Sequence, residues 1–194
     1  MQMMTVLSKC RFYGAMILAT FVVFVAVSLI NLYFFKSSEY VPGIDWVYLP
    51  AGVRLLATLL FGLPGAIGLL LGGWCMNFWI QFPDDFGRSF MGGIVSAAAP
   101  YMVYLVARQF FGLKGTLENL TPSKLLACIV MYSLASPLLH HIWFEIHGAQ
   151  AHDWTGFYVM ALGDFFGSVI VIYTLKMFLG RRDATLDSPP MNTR

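Results

Sequence analysis

The sequence predicts an all-α integral membrane protein: a polytopic bundle of about six transmembrane helices with both termini cytoplasmic. Three observations carry this. Of 194 residues, 58% are hydrophobic and 11% charged, against about 25% charged in a soluble domain. Mean hydropathy is +0.70. The charges that remain cut the chain into apolar runs, and the basic ones fall on one predicted side.

The runs are taken in order. Residues 12–35 lie between Arg11 and Lys36. This run exceeds the ~7–15-residue apolar core of a cleaved signal peptide, so it is read as a retained helix. Leu49 to Phe82 is 34 residues, about 51 Å as one helix, well beyond a hydrocarbon core of about 30 Å. It contains Gly62-Leu63-Pro64-Gly65, a turn signal. Two short helices, about 50–62 and 65–81, joined by a tight turn are expected. Residues 89–107, 125–144 and 154–175 supply the last three.

Charge bias sets the orientation. With a cytoplasmic N-terminus, the inner segments hold nine basic residues: Lys9, Arg11, Arg108, Lys114, Lys124, Lys176, Arg181, Arg182 and Arg194. The outer segments hold two, Lys36 and Arg88. The surplus is therefore a topology signal, and a nucleic-acid partner is not expected. Trp46, Trp79, Trp143 and Trp154 fall at predicted outer ends, as an interfacial belt should. Residues 1–180 are read as one domain and 181–194 as a disordered cytoplasmic tail.

Small residues recur on the helices: Gly65, Gly68 and Gly72, then Gly92, Gly93, Ser96 and Ala97. They are read as close helix packing and leave an oligomer open. Pro100 and Pro137 lie inside helices. Cys10, Cys75 and Cys128 are widely spaced and are read as free thiols.

The chemistry concentrates on a few residues. Asp164 stands in the middle of the last apolar run, where a carboxylate costs roughly 2.5–3.5 kcal/mol on insertion scales. Ala161, Gly167 and Ser168 share its face, whereas Val169, Ile170 and Ile172 are expected to face lipid. Arg54 is the candidate partner, about one turn into helix two. It either snorkels to the headgroups or faces inward, bonded to Asp164 or to a ligand. His140 and His141 end helix five on the same outer side, and one of the two must point away from any shared site. His141 and Glu145 are four apart, with His147 and His152 beyond, but the spacing matches no strong metal motif. Neither a metal nor another cofactor is expected. No Gly-x-Ser-x-Gly motif or phosphate-binding loop is present, so no catalytic residue is assigned. An outward-opening polar pocket around Arg54 and Asp164, with a histidine at its mouth, is the expectation.

The stretch Asp45 to Phe78 resembles the membrane-associated sensor (MASE-type) domains at the front of bacterial histidine kinases and cyclic-di-nucleotide enzymes. The carrying features are Trp46, then Pro50-Ala51-Gly52 opening a helix, "LLFG" at 59–62, and "LGG" before Asn77. "GDFFG" at 163–167 is similar to that family's acidic-glycine motif. The resemblance implies a multi-helix sensory module in the bacterial inner membrane, with Asn77 joining the site candidates. Six helices are fewer than the family usually has, and the chain carries no kinase, cyclase or phosphodiesterase segment, so signalling through a separate cytoplasmic or membrane partner is expected. The alternative is the substrate-capture subunit of an energy-coupling-factor type vitamin transporter. Such subunits are similar in size and meet their partner through a small-residue face on helix one, here Ala15 and Ala19.

Overall fold

The structure, a computed structural model, describes residues 2–113, 120–147 and 154–186. Six α-helices are described: α1 (Gln2–Phe34), α2 (Pro50–Phe61), α3 (Leu63–Met76), α4 (Phe86–Phe110), α5 (Pro122–His147) and α6 (Trp154–Leu186). Five segments are long and apolar enough to cross a membrane: Ser8–Phe34, Leu63–Gln81, Phe86–Phe110, Pro122–His147 and Trp154–Met177. Helix α2 is the exception. Its 12 residues span about 18 Å, less than a hydrocarbon core.

The short helix is the centre of the bundle. It packs against α1, α3, α4, α5 and α6, which surround it in the order α1–α3–α4–α5–α6. Pro50, Ala51, Gly52, Val53, Arg54, Leu55, Ala57, Thr58 and Leu59 are all buried. The ring is open between α1 and α6, where Leu56, Leu60 and Phe61 of α2 line an apolar groove with residues of both neighbours. Large apolar side chains cover the outside of the bundle, while Thr20, Ser28, Asn31, Ser96, Ser133, Ser136 and Ser168 are buried. Apolar outside with polar groups inside is the arrangement that lipid requires.

The turn between α2 and α3 lies where the sequence puts it. Gly62 ends α2 with φ 59°, a conformation that favours glycine. Pro64 opens α3, where its missing N–H is no loss. Gly65 then lets α3 fold back onto α2: a Cβ there would strike the backbone of Ala57. Gly68 accepts Thr20 of α1, Gly72 accepts Phe24, and Gly93 of α4 accepts Trp74. These glycines are helix-packing residues.

Three expectations need revision. Ile172 belongs to the core rather than to the lipid face, and Val169 is half-buried against the same core, leaving Ile170 exposed; Asp164, Ser168 and Ile172 follow one another at four-residue steps down one stripe of α6. Trp143 is half-buried and lines an internal cavity, whereas Trp46, Trp79 and Trp154 are exposed. Helix α6 runs on to Leu186, into the segment expected as tail, since the first helix breakers come only at Pro189 and Pro190. The tail beyond 186 lies outside the described residues, as do Lys114, Glu118 and His152.

The sequence did not reveal a small antiparallel hairpin in the α1–α2 connection, β1 (Glu39–Val41) with β2 (Ile44–Asp45).

Candidate functional site

The site begins with backbone on backbone. After β2 the chain crosses the face of α6, and Tyr48 N donates to Gly163 O at 3.1 Å. A Cβ at Gly163 would collide with the Asp45 carbonyl, and one at Gly167 with the Tyr48 carbonyl. The glycines of Gly163-Asp164-Phe165-Phe166-Gly167 thus admit an extended segment beside Asp164. Asn31 of α1 fixes its far end by accepting from Leu49 N at 2.9 Å. Gly52 brings the start of α2 against Ser168 and Val171.

This packing sets Tyr48 over Arg54. Arg54 Nη2 donates to the Tyr48 hydroxyl at 2.9 Å. The guanidinium also lies 4.9 Å from the Tyr48 ring centre and 5.1 Å from that of Phe24, within reach of cation–π attraction. Arg54 is 7% exposed and Asp164 2%. At that burial Arg54 does not snorkel; it faces the interior.

Arg54 and Asp164 line one cavity of about 60 Å³, together with Asn77, Ser96 and His140. They are close enough to interact electrostatically, yet among the described residues they form no ion pair. Arg54 Nε and Asp164 Oδ2 are buried with no partner in good hydrogen-bond geometry, although the Tyr132 hydroxyl lies beside the guanidinium and the Ser136 hydroxyl beside the carboxylate. Such groups are costly in a dry interior. Pro100 adds to the polarity, since it lacks the N–H that would serve the carbonyl of Ser96 four residues earlier.

The two adjacent histidines part company. His140 lines the cavity, and its Nδ1 lies 2.8 Å from Ser136 O. A carbonyl only accepts, so Nδ1 carries a proton, and Nε2 is the acceptor whenever the ring is neutral. His141 is bonded to Pro137 O and sets its ring edge-on against Phe144 and Phe157. It lines a separate apolar surface groove with Glu145. The structure therefore brings together Arg54, Asn77, His140 and Asp164, and leaves His141 out. Among the described residues no three metal-ligating side chains gather.

Asn77 reaches the cavity through an irregular turn. Residues Asn77–Gln81 close α3 as a π-helical turn, a feature often found at functional sites. Asn77 Nδ2 donates to Ser89 O at 3.2 Å, and Gly92 leaves room for the amide.

Sequence reasoning missed the mouth. Arg88 stacks on Phe82 at 3.9 Å and donates to Pro42 O at 2.7 Å, tying the α3–α4 connection to the β-hairpin. Asp85 caps α4 by accepting from Arg88 N. Asp45 lies above Asp164, and its half-buried carboxyl is pushed up to about 6, first by burial and then by Glu39 and Asp164. Asp45, Tyr48, Gln81 and Phe82 are shared with a second compartment of about 160 Å³ lined by Ser28, Asn31, Lys36 and Glu39. The only sequence signal for this was a clustering of charges at the outer ends.

Compared with family models, with curated proteins and with solved structures, the chain matches none.

Proposed function

We propose that this chain is a sensory, ligand-binding module of the bacterial inner membrane, taking a small polar ligand into the Arg54–Asp164 cavity from the outer face and signalling through a separate partner. The observation that carries the binding reading is that Arg54 and Asp164, both almost fully buried, line one cavity without pairing. A purely structural pair would gain by closing the gap. The cavity holds about four water-sized groups at ~15 Å³ each. Its walls are polar and its mouth lies at the loop end beside Asp45 and Arg88. Binding rather than catalysis is the role proposed.

The sensory part rests on the residue pattern of 45–78 and 163–167. In the topology that goes with it, both termini are cytoplasmic and α2 makes its crossing among the other five helices, which cover it except along the groove between α1 and α6. One observation favours a second reading, a transporter's substrate-capture subunit: Ala15 and Ala19 are exposed on α1.

Affinity purification in mild detergent, with mass spectrometry of co-eluting proteins and small molecules, tests these readings. A retained small polar molecule together with a signalling enzyme is the expected result. Co-elution of a transporter coupling protein with its ATPases would favour the second reading. A preparation with neither ligand nor partner would contradict both.

A further inference from the structure

We infer that the ligand is a compact zwitterion, a free α-amino acid with a short polar side chain. This rests on the binding reading above and adds the ligand's chemical class.

The argument is one of charge and space. Four charged side chains line the cavity: Arg54 and Arg88, Asp45 and Asp164. Two are positive and two negative, so the lining is neutral as a whole. A net anion or a net cation would bring an uncompensated charge into a low-dielectric site. Among the described residues none of the four is in an ion pair. The charges are held apart, and a molecule that carries both signs can satisfy both sides at once. Arg54 already gives Nη2 to Tyr48, while its Nε has no partner; on the acid side, Asp164 Oδ2 has none. The buried lining groups left unused are two donors, Arg54 Nε and Trp143 Nε1, and one acceptor, Asp164 Oδ2.

The space fits the head of such a molecule. About 60 Å³ corresponds to about four water-sized groups, the size of an ammonium, an α-carbon and a carboxylate. The carboxylate accepts from Arg54 and the ammonium donates to Asp164. His140 offers a further acceptor at Nε2, since its Nδ1 is committed to Ser136 O. The side chain points toward the second compartment, where Asn31, Lys36 and Glu39 form the walls. The Ser28 hydroxyl there is buried without a partner. Those walls select a polar side chain over an apolar one.

The test is thermal stability of the purified chain in detergent, titrated with L-serine and L-glutamine, and with sodium propionate and ethanolamine as single-charge controls. The amino acids are expected to raise Tm in a saturable way, and the controls to have no effect at the same concentrations. Arg54→Gln and Asp164→Asn should each weaken the apparent affinity about tenfold or more, the scale of a lost charge-assisted hydrogen bond. Arg54→Gln/Asp164→Asn, which removes both charges, serves as the folded non-responder. Stabilisation by propionate or ethanolamine alone would overturn the zwitterion while leaving the binding reading intact. An equal response from the double variant would place any amino-acid effect elsewhere and overturn it too. No response to either amino acid also overturns it, and the binding reading then stands or falls on the retained molecule alone.

Discussion

Gly167 of α6 faces the carbonyl oxygen of Tyr48 with no room for a methyl group between them. This contact holds the segment before α2 on α6, and with it the ring and hydroxyl that Arg54 uses. Gly167→Ala is expected to lower stability by about 1–3 kcal/mol, the usual cost of overpacking. Gly14→Ala is the control, because nothing lies within 4 Å of a Cβ there. Thermal unfolding in detergent reads both. Equal Tm values for the two variants would contradict the packing described.

Tyr48 has two roles toward Arg54, a hydrogen bond and a ring face. Tyr48→Phe keeps the face and removes the bond, at an expected cost of about 1.5–3 kcal/mol for a bond to a charged group. Tyr48→Leu removes both and should cost more. If the Phe variant is as stable as the parent, the hydroxyl does not serve the guanidinium.

Asp45 predicts a pH dependence. Its folded carboxyl is raised from 3.8 to about 6, so the folded state binds the proton more tightly than the unfolded one. Stability contributed by the protonated form is present below pH ~4 and is lost as pH rises through about 6. The Tm difference between the parent and Asp45→Asn should therefore change across that window and stay flat from pH 7 to 8. A difference that is constant from pH 4 to 8 would show that Asp45 titrates normally.

The topology predicts sided labelling. In a background without Cys10, Cys75 and Cys128, a cysteine at Asp84 should react with an impermeant reagent from outside intact cells. One placed within 187–194 should react only after the membrane is opened. Strong outside labelling of the C-terminal position would exclude six crossings.

Much of this arrangement was legible because charge and glycine are strong signals in lipid. The limits of the apolar runs followed from charges such as Arg88 and Lys124, and the α2–α3 break from Gly62 and Pro64. Arg54, His140 and Asp164 stood out as polar groups at mid-helix or outer depth. What was not legible depends on direction rather than depth. His140 and His141 differ by one residue, about 100° around a helix, and only packing decides which points inward. Trp143 read as a belt residue for the same reason. The inward position of Ile172 was available from its four-residue steps from Asp164 and Ser168, but its apolar side chain suggested lipid. Tyr48, Asp45 and Arg88 reach the site because a loop lies across Gly163 and Gly167, a tertiary contact with no local periodicity. That α2 is the hub was hidden by its length: 12 residues carry no sequence signal of which neighbours surround them.

The central claim is that Arg54 and Asp164 serve a common ligand rather than each other. A double-mutant cycle on Arg54→Gln and Asp164→Asn tests it most directly, with thermal stability and the small molecule retained in native mass spectrometry as readouts. The account predicts that all four proteins fold, with Tm values within a few degrees, and that only the parent retains the molecule. Singles far less stable than the double, with retention unchanged across the set, would identify a direct structural pair and contradict it.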